Sequence, residues 1–312
     1  MKKVVVIGGG TGSSVILRGF KQLDDISLTA VVTVADDGGS TGRLRKQYQI
    51  PAMGDIRNVM VAMAESESLL GSLMDYRFGG SGDISGHNLG NLMLTALTQT
   101  TGNFMESIQK LSKVLNVKGR IIPSTTQIVT LIARMEDGTI VRGESNIPKF
   151  QNHIDTVFYQ EQVTASKDAI LAIKDADYIV YGIGSLYTSI MPNLIIPEIR
   201  EAILSSRAKK IYFCNAMSQP GETDNYSLED HVQAILKHSN EKAVDIVVVN
   251  NDVISEEILN RYQEKGSYPV KIKKQEHYYR IVEAELLKFD DGFIRHDSRK
   301  IKDVFYQIMQ EE

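Results

Sequence analysis

Short runs of apolar residues, many of them β-branched, recur along the chain and alternate with polar loops and helical patterns. The runs cover residues 4–7, 28–34, 178–181, 210–214 and 244–249, and each leads into a loop rich in glycine, serine, aspartate or asparagine. Strands that are apolar along their whole length are typical of parallel sheets covered by helices on both faces. The pattern therefore predicts an α/β fold built on a mostly parallel sheet.

One segment departs from this alternation. Residues 128–135 and 139–145 are two strand-like runs, and Glu136-Asp137-Gly138 separates them. An Asp-Gly pair supplies the positive φ angles that a tight turn between antiparallel strands requires. We therefore expect a β-hairpin here, and a sheet that is mixed rather than purely parallel.

Two longer segments, 58–73 and 89–113, are rich in methionine, leucine and alanine and are predicted to form long helices. No internal repeat, low-complexity tract or linker rich in proline, glycine and serine divides the chain, although the pattern fades at residues 145–162. We therefore predict a single domain over residues 1–312, with two lobes as the alternative.

Composition and charge exclude several classes of protein for this chain. The chain has 312 residues, of which 42% are apolar and 24% charged, ordinary values for a folded protein. Its 35 basic and 39 acidic residues argue against a general nucleic-acid binder, which usually carries a basic excess. The single cysteine, Cys214, cannot form a disulfide within the chain, and no apolar run approaches the roughly 18 residues of a membrane span. We expect a cytoplasmic protein with no membrane span and no nucleic-acid partner.

The first glycine-rich loop, residues 8–14, follows the first predicted strand and opens a helix. Unpaired backbone N–H groups and the positive end of the helix dipole make such a place suited to a phosphate. Ser13 stands where a dinucleotide-binding fingerprint has its third glycine, and no Gly-Lys-Ser/Thr of a Walker A loop follows. A tight turn without a ligand is the alternative. The predicted phosphate contacts are Gly9, Gly10, Thr11 and Gly12.

A second loop follows the second predicted strand and contains Asp36, Asp37, Ser40 and Arg43. Carboxylates here could accept hydrogen bonds from a ribose or hold Mg²⁺, and the arginine could pair with a phosphate. The alternative is that the aspartates cap a turn and the arginine is a solvated helix residue. Asp55, a little further on, is a further acidic candidate, although a helix N-cap would also explain it.

The segment 80–92 crowds glycines and polar residues at the start of a predicted helix. His87 and Asn88 are expected in its first turn. There His87 could donate a hydrogen bond to a phosphate or a leaving oxygen, and Asn88 could bind a base or a sugar.

Three later candidates follow strands or lie near the C-terminus. Gly184 and Ser185 follow one strand and could bind an anion, Asn215 ends another, and Arg295 lies in a polar triplet that could equally be a solvated turn. Because open α/β sheets bind ligands beyond the carboxyl ends of their strands, we expect these loops to share one cleft.

The same loops carry a family resemblance. The chain resembles the YvcK-like family of gluconeogenesis factors in the CofD-like superfamily, and the resemblance spans nearly the whole length. One departure is Ile183, where the family pattern has proline. The motifs that carry the resemblance are Gly-Gly-Gly-Thr-Gly at 8–12, Val-Ala-Asp-Asp-Gly-Gly-Ser at 34–40, Gly-Asp-Ile-Arg-Asn at 54–58, Ser-Gly-His-Asn-Leu-Gly-Asn at 85–91, Gly-Ser-Leu-Tyr-Thr-Ser at 184–189 and Gln-Pro-Gly-Glu-Thr-Asp at 219–224.

The resemblance implies a Rossmann-like three-layer α/β/α sandwich and binding of UDP-sugars such as UDP-N-acetylglucosamine. It also implies a role in cell-wall synthesis and cell shape during growth on gluconeogenic carbon sources. The related CofD enzymes transfer a phospho-lactyl group from a nucleotide-linked donor with Mg²⁺. The ligand contacts that the resemblance carries over are Gly9, Gly10, Thr11, Asp36, Asp37, His87, Asn88 and Asn215.

Three functions remain open at the level of sequence. The first is a non-catalytic regulator that binds a UDP-sugar. The second is a Mg²⁺-dependent transferase of phosphorus-containing groups, with GDP-type donors, a metal on Asp36, Asp37 or Asp55, and catalytic roles for Asp37, Asp55 and His87. The third is an NAD-dependent dehydrogenase, which Ser13 disfavours. The oligomeric state is open, with a homodimer as one option, and no protein partner is indicated.

Overall fold

The computed structural model describes residues 1–65, 69–150, 152–274 and 276–311. A parallel sheet of seven strands lies at the centre of this part of the chain, with two small antiparallel sheets beside it. The strands are β1 (Lys2–Gly8), β2 (Ile26–Val32), β3 (Arg120–Pro123), β4 (Leu131–Met135), β5 (Ile140–Arg142), β6 (Ile154–Tyr159), β7 (Tyr178–Gly182), β8 (Lys209–Phe213), β9 (Ile246–Asn250), β10 (Arg280–Ala284), β11 (Leu287–Asp290) and β12 (Phe293–His296).

Helices flank the central sheet. Its middle strands β1 and β7 are almost wholly buried, which requires cover on both faces. A 3₁₀ turn spans Glu144–Lys149 and a π-helical turn spans Leu186–Ile190. The α-helices are α1 (Gly10–Phe20), α2 (Gly39–Tyr48), α3 (Gly54–Met63), α4 (Leu69–Asp75), α5 (Leu89–Thr101), α6 (Phe104–Val114), α7 (Lys167–Lys174), α8 (Met191–Leu194), α9 (Pro197–Ser205), α10 (Leu228–His238), α11 (Glu256–Gln263) and α12 (Ser298–Glu311).

The strand order explains where a ligand site can form. The sheet runs β10-β9-β8-β7-β1-β2-β3, and every neighbouring pair is parallel. The chain therefore moves outward from β1 to β3 on one side and from β7 to β10 on the other. The connections leave β1 and β7 in opposite directions, which opens a crevice beyond the carboxyl ends of these two strands.

The predicted α/β fold with a mostly parallel sheet is confirmed, but the central sheet is not mixed, since all its neighbouring strands are parallel. The predicted hairpin is also present, as β4 and β5 around Gly138, but it lies outside the central sheet. β4 pairs with β5 on one edge and with β6 on the other, so both of its edges are already used. The hairpin therefore belongs to a separate antiparallel sheet, and the 3₁₀ turn that follows it approaches the crevice.

Packing of α12 against α1 joins the C-terminal helix to the first βα unit. The rings of Phe20 and Phe305 stack with centroids 4.1 Å apart, and Tyr178 meets Phe305 edge-on. Gly19 allows the close approach, since a Cβ there would overlap the carbonyl oxygen of Ser298. Cys214 is buried, as a small core residue would be. None of the helices in the described ranges has both the length and the apolar character needed to cross a membrane.

The prediction of one helix over residues 89–113 is wrong, because the chain breaks between α5 and α6. Gly102 ends α5 in the left-handed region with φ 66°. Asn103 then begins α6, and its side-chain oxygen accepts a hydrogen bond from the Glu106 N–H at 3.0 Å. A helix was also predicted over 58–73, where the structure has the end of α3 and part of α4, and residues 66–68 lie outside the described ranges.

The Asn103 cap gives a local stability prediction. Asn103→Ala should lower the free energy of unfolding by about 1 kcal/mol, because the first turn of α6 loses its side-chain acceptor. Urea denaturation measures the change. Asn103→Asp is the matched control, since it keeps the acceptor and should cost much less. Equal stability of the alanine variant and the parent would contradict the capping role.

Candidate functional site

A cleft of about 580 Å³ lies at the crevice between β1 and β7. Loops that follow β1, β7 and β8 form most of it, and the 3₁₀ turn and β12 complete the walls. The residues that line it are Gly9, Gly10, Thr11, Gly12, Val15, Arg18, Glu144, Pro148, Ile183, Gly184, Ser185, Thr188, Ser189, Asn215, Gln219, Glu222, Ile294, Arg295 and His296.

The start of α1 opens into this cleft. The N-cap residue is Gly9, which has no side chain to cap the helix, and no acidic residue lies in the first turn. Gly10 adopts φ 65°, a conformation that glycine reaches without strain. The Asp55 carboxyl accepts a hydrogen bond from the Gly10 N–H. The other N–H groups of the first turn and the positive dipole end face the cleft, which favours an anion.

The other glycines of this loop have packing reasons of their own. A Cβ on Gly12 would overlap the carbonyl oxygen of Ile183, and a Cβ on Gly9 would overlap a carboxylate oxygen of Asp55. Gly9 and Gly12 are therefore required by the fold with or without a ligand. What favours a ligand here is the position of this helix start in a cleft, not the number of glycines.

The side chain of Asn215 holds the loop after β7 through two hydrogen bonds to Gly184. Its side-chain oxygen accepts a hydrogen bond from the Gly184 N–H at 3.1 Å, and its Nδ2 donates to the Gly184 carbonyl at 2.8 Å. The side chain that sequence assigned to the ligand thus positions Gly184, which has φ 146°. A ligand could contact Asn215 only through the second N–H of its Nδ2 or the second lone pair of its side-chain oxygen.

Ser185 is likewise engaged within the protein. Its hydroxyl donates to a carboxylate oxygen of Glu222 and accepts a hydrogen bond from the Thr188 N–H at 3.1 Å. Gln219 also donates to Glu222, at 3.0 Å. Glu222 is 2% exposed, and this burial raises the pKa of its carboxyl. Sequence reasoning missed Glu222, although it lies in a quoted motif and its carboxylate organises this wall.

Glu144 is a second residue that sequence reasoning missed. It begins the 3₁₀ turn after the hairpin and lines the cleft. Burial, followed by the nearby charges of Asp36, Asp55 and Asp37, raises the pKa of Glu144 to about 8. At neutral pH the side chain is mostly protonated and can donate a hydrogen bond. Only its position near the end of the predicted hairpin, in the run 139–145, could have suggested it.

The three aspartates lie beside Glu144 and behind the first loop. Burial and the charge of Asp36 raise the pKa of Asp55 to about 7, and burial raises that of Asp36. Asp36 accepts a hydrogen bond from the Gly38 N–H at 2.9 Å, and Asp37 accepts one from the Ser145 N–H at 2.9 Å.

The candidate Mg²⁺ ligands do not form a complete metal site by themselves. One carboxylate oxygen of Asp37 accepts the Ser145 N–H. Among the described residues, no three side chains of His, Cys, Asp or Glu are arranged to hold a metal ion. Binding of Mg²⁺ by one or two of these aspartates together with a phosphate stays a prediction.

Ser40, His87 and Asn88 form a hydrogen-bonded group at the start of α2 and α5. Ser40 Oγ lies 3.1 Å from His87 Nδ1 and accepts the Asn88 N–H at 3.2 Å. Asn88 also caps α5 by accepting the Asn91 N–H at 3.2 Å. Burial and, after it, the charge of Arg43 lower the pKa of His87, which favours the neutral ring. The Nδ2 of Asn88 is buried without a partner among the described residues.

Arg43 and Arg295 differ in their surroundings. Arg43 donates to the Ser85 carbonyl at 2.7 Å, which holds the glycine-rich loop before His87. Arg295 lies on β12, lines the cleft and stands over the Phe293 ring at 5.7 Å. Its neighbour His296 lines the same wall, and burial lowers the pKa of that ring to about 4.

The structure thus sorts the predicted site residues into two adjoining groups. Those of the cleft are Gly9, Gly10, Thr11, Gly12, Gly184, Ser185, Asn215 and Arg295. Those of the polar region beside it are Asp36, Asp37, Ser40, Arg43, Asp55, His87 and Asn88. Glu144 and Asp55 link the two groups. Direct ligand contacts by these residues stay predictions.

Comparison with known proteins points to a family. The family model described as 2-phospho-L-lactate transferase CofD matches residues 4–287. A gluconeogenesis factor of Bacillus subtilis (strain 168) is 42% identical over 313 residues, which are 99% of this chain and 98% of that protein. A gluconeogenesis factor of Halalkalibacterium halodurans is 46% identical and covers 98% of this chain and 96% of its own.

A solved structure is similar over the same length. The crystal structure of a member of the UPF0052 family from Bacillus halodurans has a TM-score of 0.92 and 45% sequence identity to this chain. The similarity covers 97% of this chain and 99% of the other. At this level the two chains share the arrangement of strands and helices that forms the cleft.

Proposed function

The chain belongs to the CofD family, and from that premise we propose that it is a cytoplasmic, non-catalytic regulator that binds a UDP-sugar such as UDP-N-acetylglucosamine. Its role would be in cell-wall synthesis and cell shape during gluconeogenic growth. The relatives that match it over full length are named gluconeogenesis factors, which favours a regulator of carbon use over a transferase.

The observation that carries the proposal is the start of α1 at the β1/β7 crevice. Gly9 supplies no capping side chain and the first turn contains no acidic residue. The Asp55 carboxyl accepts a hydrogen bond from the Gly10 N–H, and the N–H groups that remain can bind a diphosphate. At physiological pH the protonated form of Glu144 predominates and adds a donor to the lining of the cleft. A cleft of about 580 Å³ is within the usual size of a small-molecule site.

Several observations favour binding over catalysis. The His87 ring contacts Ser40, and Asp37 accepts a backbone N–H, so two of the three candidate catalytic groups make structural contacts. Asp55 is buried behind the first loop, where a Cβ on Gly9 would overlap it. The transferase alternative is supported by the description of the matching family model alone.

A thermal-shift panel tests the proposed ligand. UDP-N-acetylglucosamine at 100 times its Kd should stabilise the protein by about 2.7 kcal/mol and raise Tm by roughly 4 °C. UDP should also raise Tm, because the diphosphate supplies most of the contacts with α1. Uridine without phosphate is the matched control and should have little effect.

Two other outcomes would replace the proposal. A shift with GDP and Mg²⁺ but not with uridine nucleotides would favour the transferase. A shift with NAD alone would favour a dehydrogenase. Incubation with UDP-N-acetylglucosamine followed by chromatography checks for turnover, and we expect the nucleotide-sugar to be recovered intact.

A further inference from the structure

A second cavity of about 550 Å³ adjoins the cleft beneath the β11–β12 hairpin. The two cavities share one wall, formed by Asn215, Gln219, Ile294, Arg295 and His296. We call the second cavity the hairpin lobe. A small molecule bound at the start of α1 therefore has a second space next to it.

The floor of the hairpin lobe is a pair of crossing backbone segments, 216–218 and 267–270. The Ser218 N–H donates to the Tyr268 carbonyl at 2.7 Å, and the Tyr268 N–H donates to Ser218 Oγ at 2.9 Å. The Val270 N–H donates to the Ala216 carbonyl at 3.0 Å. These bonds hold the segment that begins just after Lys265.

The β11–β12 hairpin covers the lobe and is held to α11 by hydrogen bonds as well. The Tyr262 hydroxyl accepts the Ile294 N–H at 2.9 Å, and Arg261 donates to the Gly292 carbonyl at 3.3 Å. Ile294 also packs in a small apolar cluster with Ala216, separate from the main core. Arg295 is therefore held on a strand that is anchored to the same helix that leads to Lys265.

The charge of the hairpin lobe differs from that of the cleft. Lys265 and Arg295 line the lobe together with the neutral His296, and no lining residue is acidic. The cleft, in contrast, is lined by Glu144 and Glu222.

Among the described residues, these two cations also lack partners. Neither the Lys265 ammonium nor the Arg295 guanidinium makes an ion pair or a hydrogen bond to another residue there. Arg295 only stands over the Phe293 ring. Two unneutralised cations on a partly apolar cavity attract a negatively charged group.

We propose that the hairpin lobe is an anion subsite, which takes a carboxylate or phosphate group beside the nucleotide in the cleft. The proposal rests on the proposed function for the neighbouring nucleotide. The anionic group has two sources. It is either part of the sugar of a UDP-sugar acid, or it belongs to a separate small anion that binds next to the nucleotide.

Titration calorimetry with Lys265→Met separates these sources. Lys265 is exposed and outside the proposed nucleotide contacts, so the variant should fold normally and bind UDP with unchanged affinity. If the sugar supplies the anion, UDP-glucuronate should bind the parent roughly fivefold more tightly than UDP-N-acetylglucosamine, and the variant should lose this preference. If a separate anion binds, the variant should bind inorganic phosphate more weakly than the parent does, by a similar factor, with or without UDP.

Lys242→Met is the matched control, because Lys242 is an exposed lysine outside both cavities and should behave as the parent does. The proposal is overturned if Lys265→Met changes neither the UDP-glucuronate preference nor phosphate binding. Failure of UDP to bind the parent contradicts the proposed function instead. The phosphate titration without nucleotide still tests the hairpin lobe in that case.

Discussion

Replacing Gly12 with alanine should abolish binding of UDP-N-acetylglucosamine and lower the free energy of unfolding by about 3 kcal/mol. The added Cβ would overlap the carbonyl oxygen of Ile183 and lie 2.6 Å from the Cα of Gly184. These are backbone atoms, so no side-chain rotation relieves the overlap. Either α1 or the loop after β7 has to move.

Either movement disrupts the cleft, because both elements line it and contact each other at Gly12. Gly184 is tied to Asn215 by two hydrogen bonds, so displacement of the loop also disturbs the wall after β8. The N–H groups of the first turn of α1 would no longer converge with the other loops on one diphosphate. We therefore expect loss of affinity beyond the loss of stability.

Gly19→Ala provides a matched control on the same helix. Its Cβ would overlap the carbonyl oxygen of Ser298, also a backbone atom, at the contact with α12. Both variants should therefore melt at lower temperature, but only Gly12→Ala should lose the ligand. Calorimetric titration well below both melting temperatures makes the comparison. Normal binding by Gly12→Ala would move the diphosphate away from this loop.

Glu144→Gln should make both stability and ligand affinity less dependent on pH. The pKa of Glu144 is raised from an ordinary 4.5 to about 8, because burial and three nearby aspartates disfavour its charged form. The folded protein therefore binds this proton more tightly than the unfolded chain does. The stability contribution is complete below pH 4.5 and is lost as pH rises through about 8.

Glutamine keeps the shape of the protonated side chain and cannot ionise. At pH 9 the variant should be more stable than the parent by about 2 kcal/mol, less than the full pKa shift implies because Glu144 partly faces the cleft. It should also bind UDP-N-acetylglucosamine about tenfold more tightly at pH 9, since no carboxylate opposes the diphosphate. At pH 5 the two proteins should be alike.

Urea denaturation and titration calorimetry between pH 5 and pH 9 give both profiles. Glu241→Gln removes an exposed carboxylate that is not part of the cleft lining and should leave the parent profiles unchanged. Parallel pH profiles for Glu144→Gln and the parent would show that Glu144 is ionised throughout this range.

The alternation of apolar runs and polar loops was sufficient to predict a mostly parallel sheet. It also predicted that the polar loops lie together at the carboxyl edge of that sheet. This succeeds because a strand buried on both faces must be apolar throughout, and parallel strands all end at one edge. The break between α5 and α6 was also present in the sequence, as Gly102 followed by Asn103. Apolar periodicity on both sides concealed it, although a left-handed glycine before a capping residue is a recognised stop signal.

The sequence by itself determined which loops carry polar and glycine residues, because that information is local to each strand and its following turn. Only the tertiary structure decided what each side chain does. Asn215 and Ser185 are used to hold neighbouring loops, and Glu144 reaches the aspartates through a hairpin inserted far along the chain. A hydrogen-bond partner and a raised pKa depend on which distant atoms lie within a few ångströms, and spacing along the chain does not specify those distances.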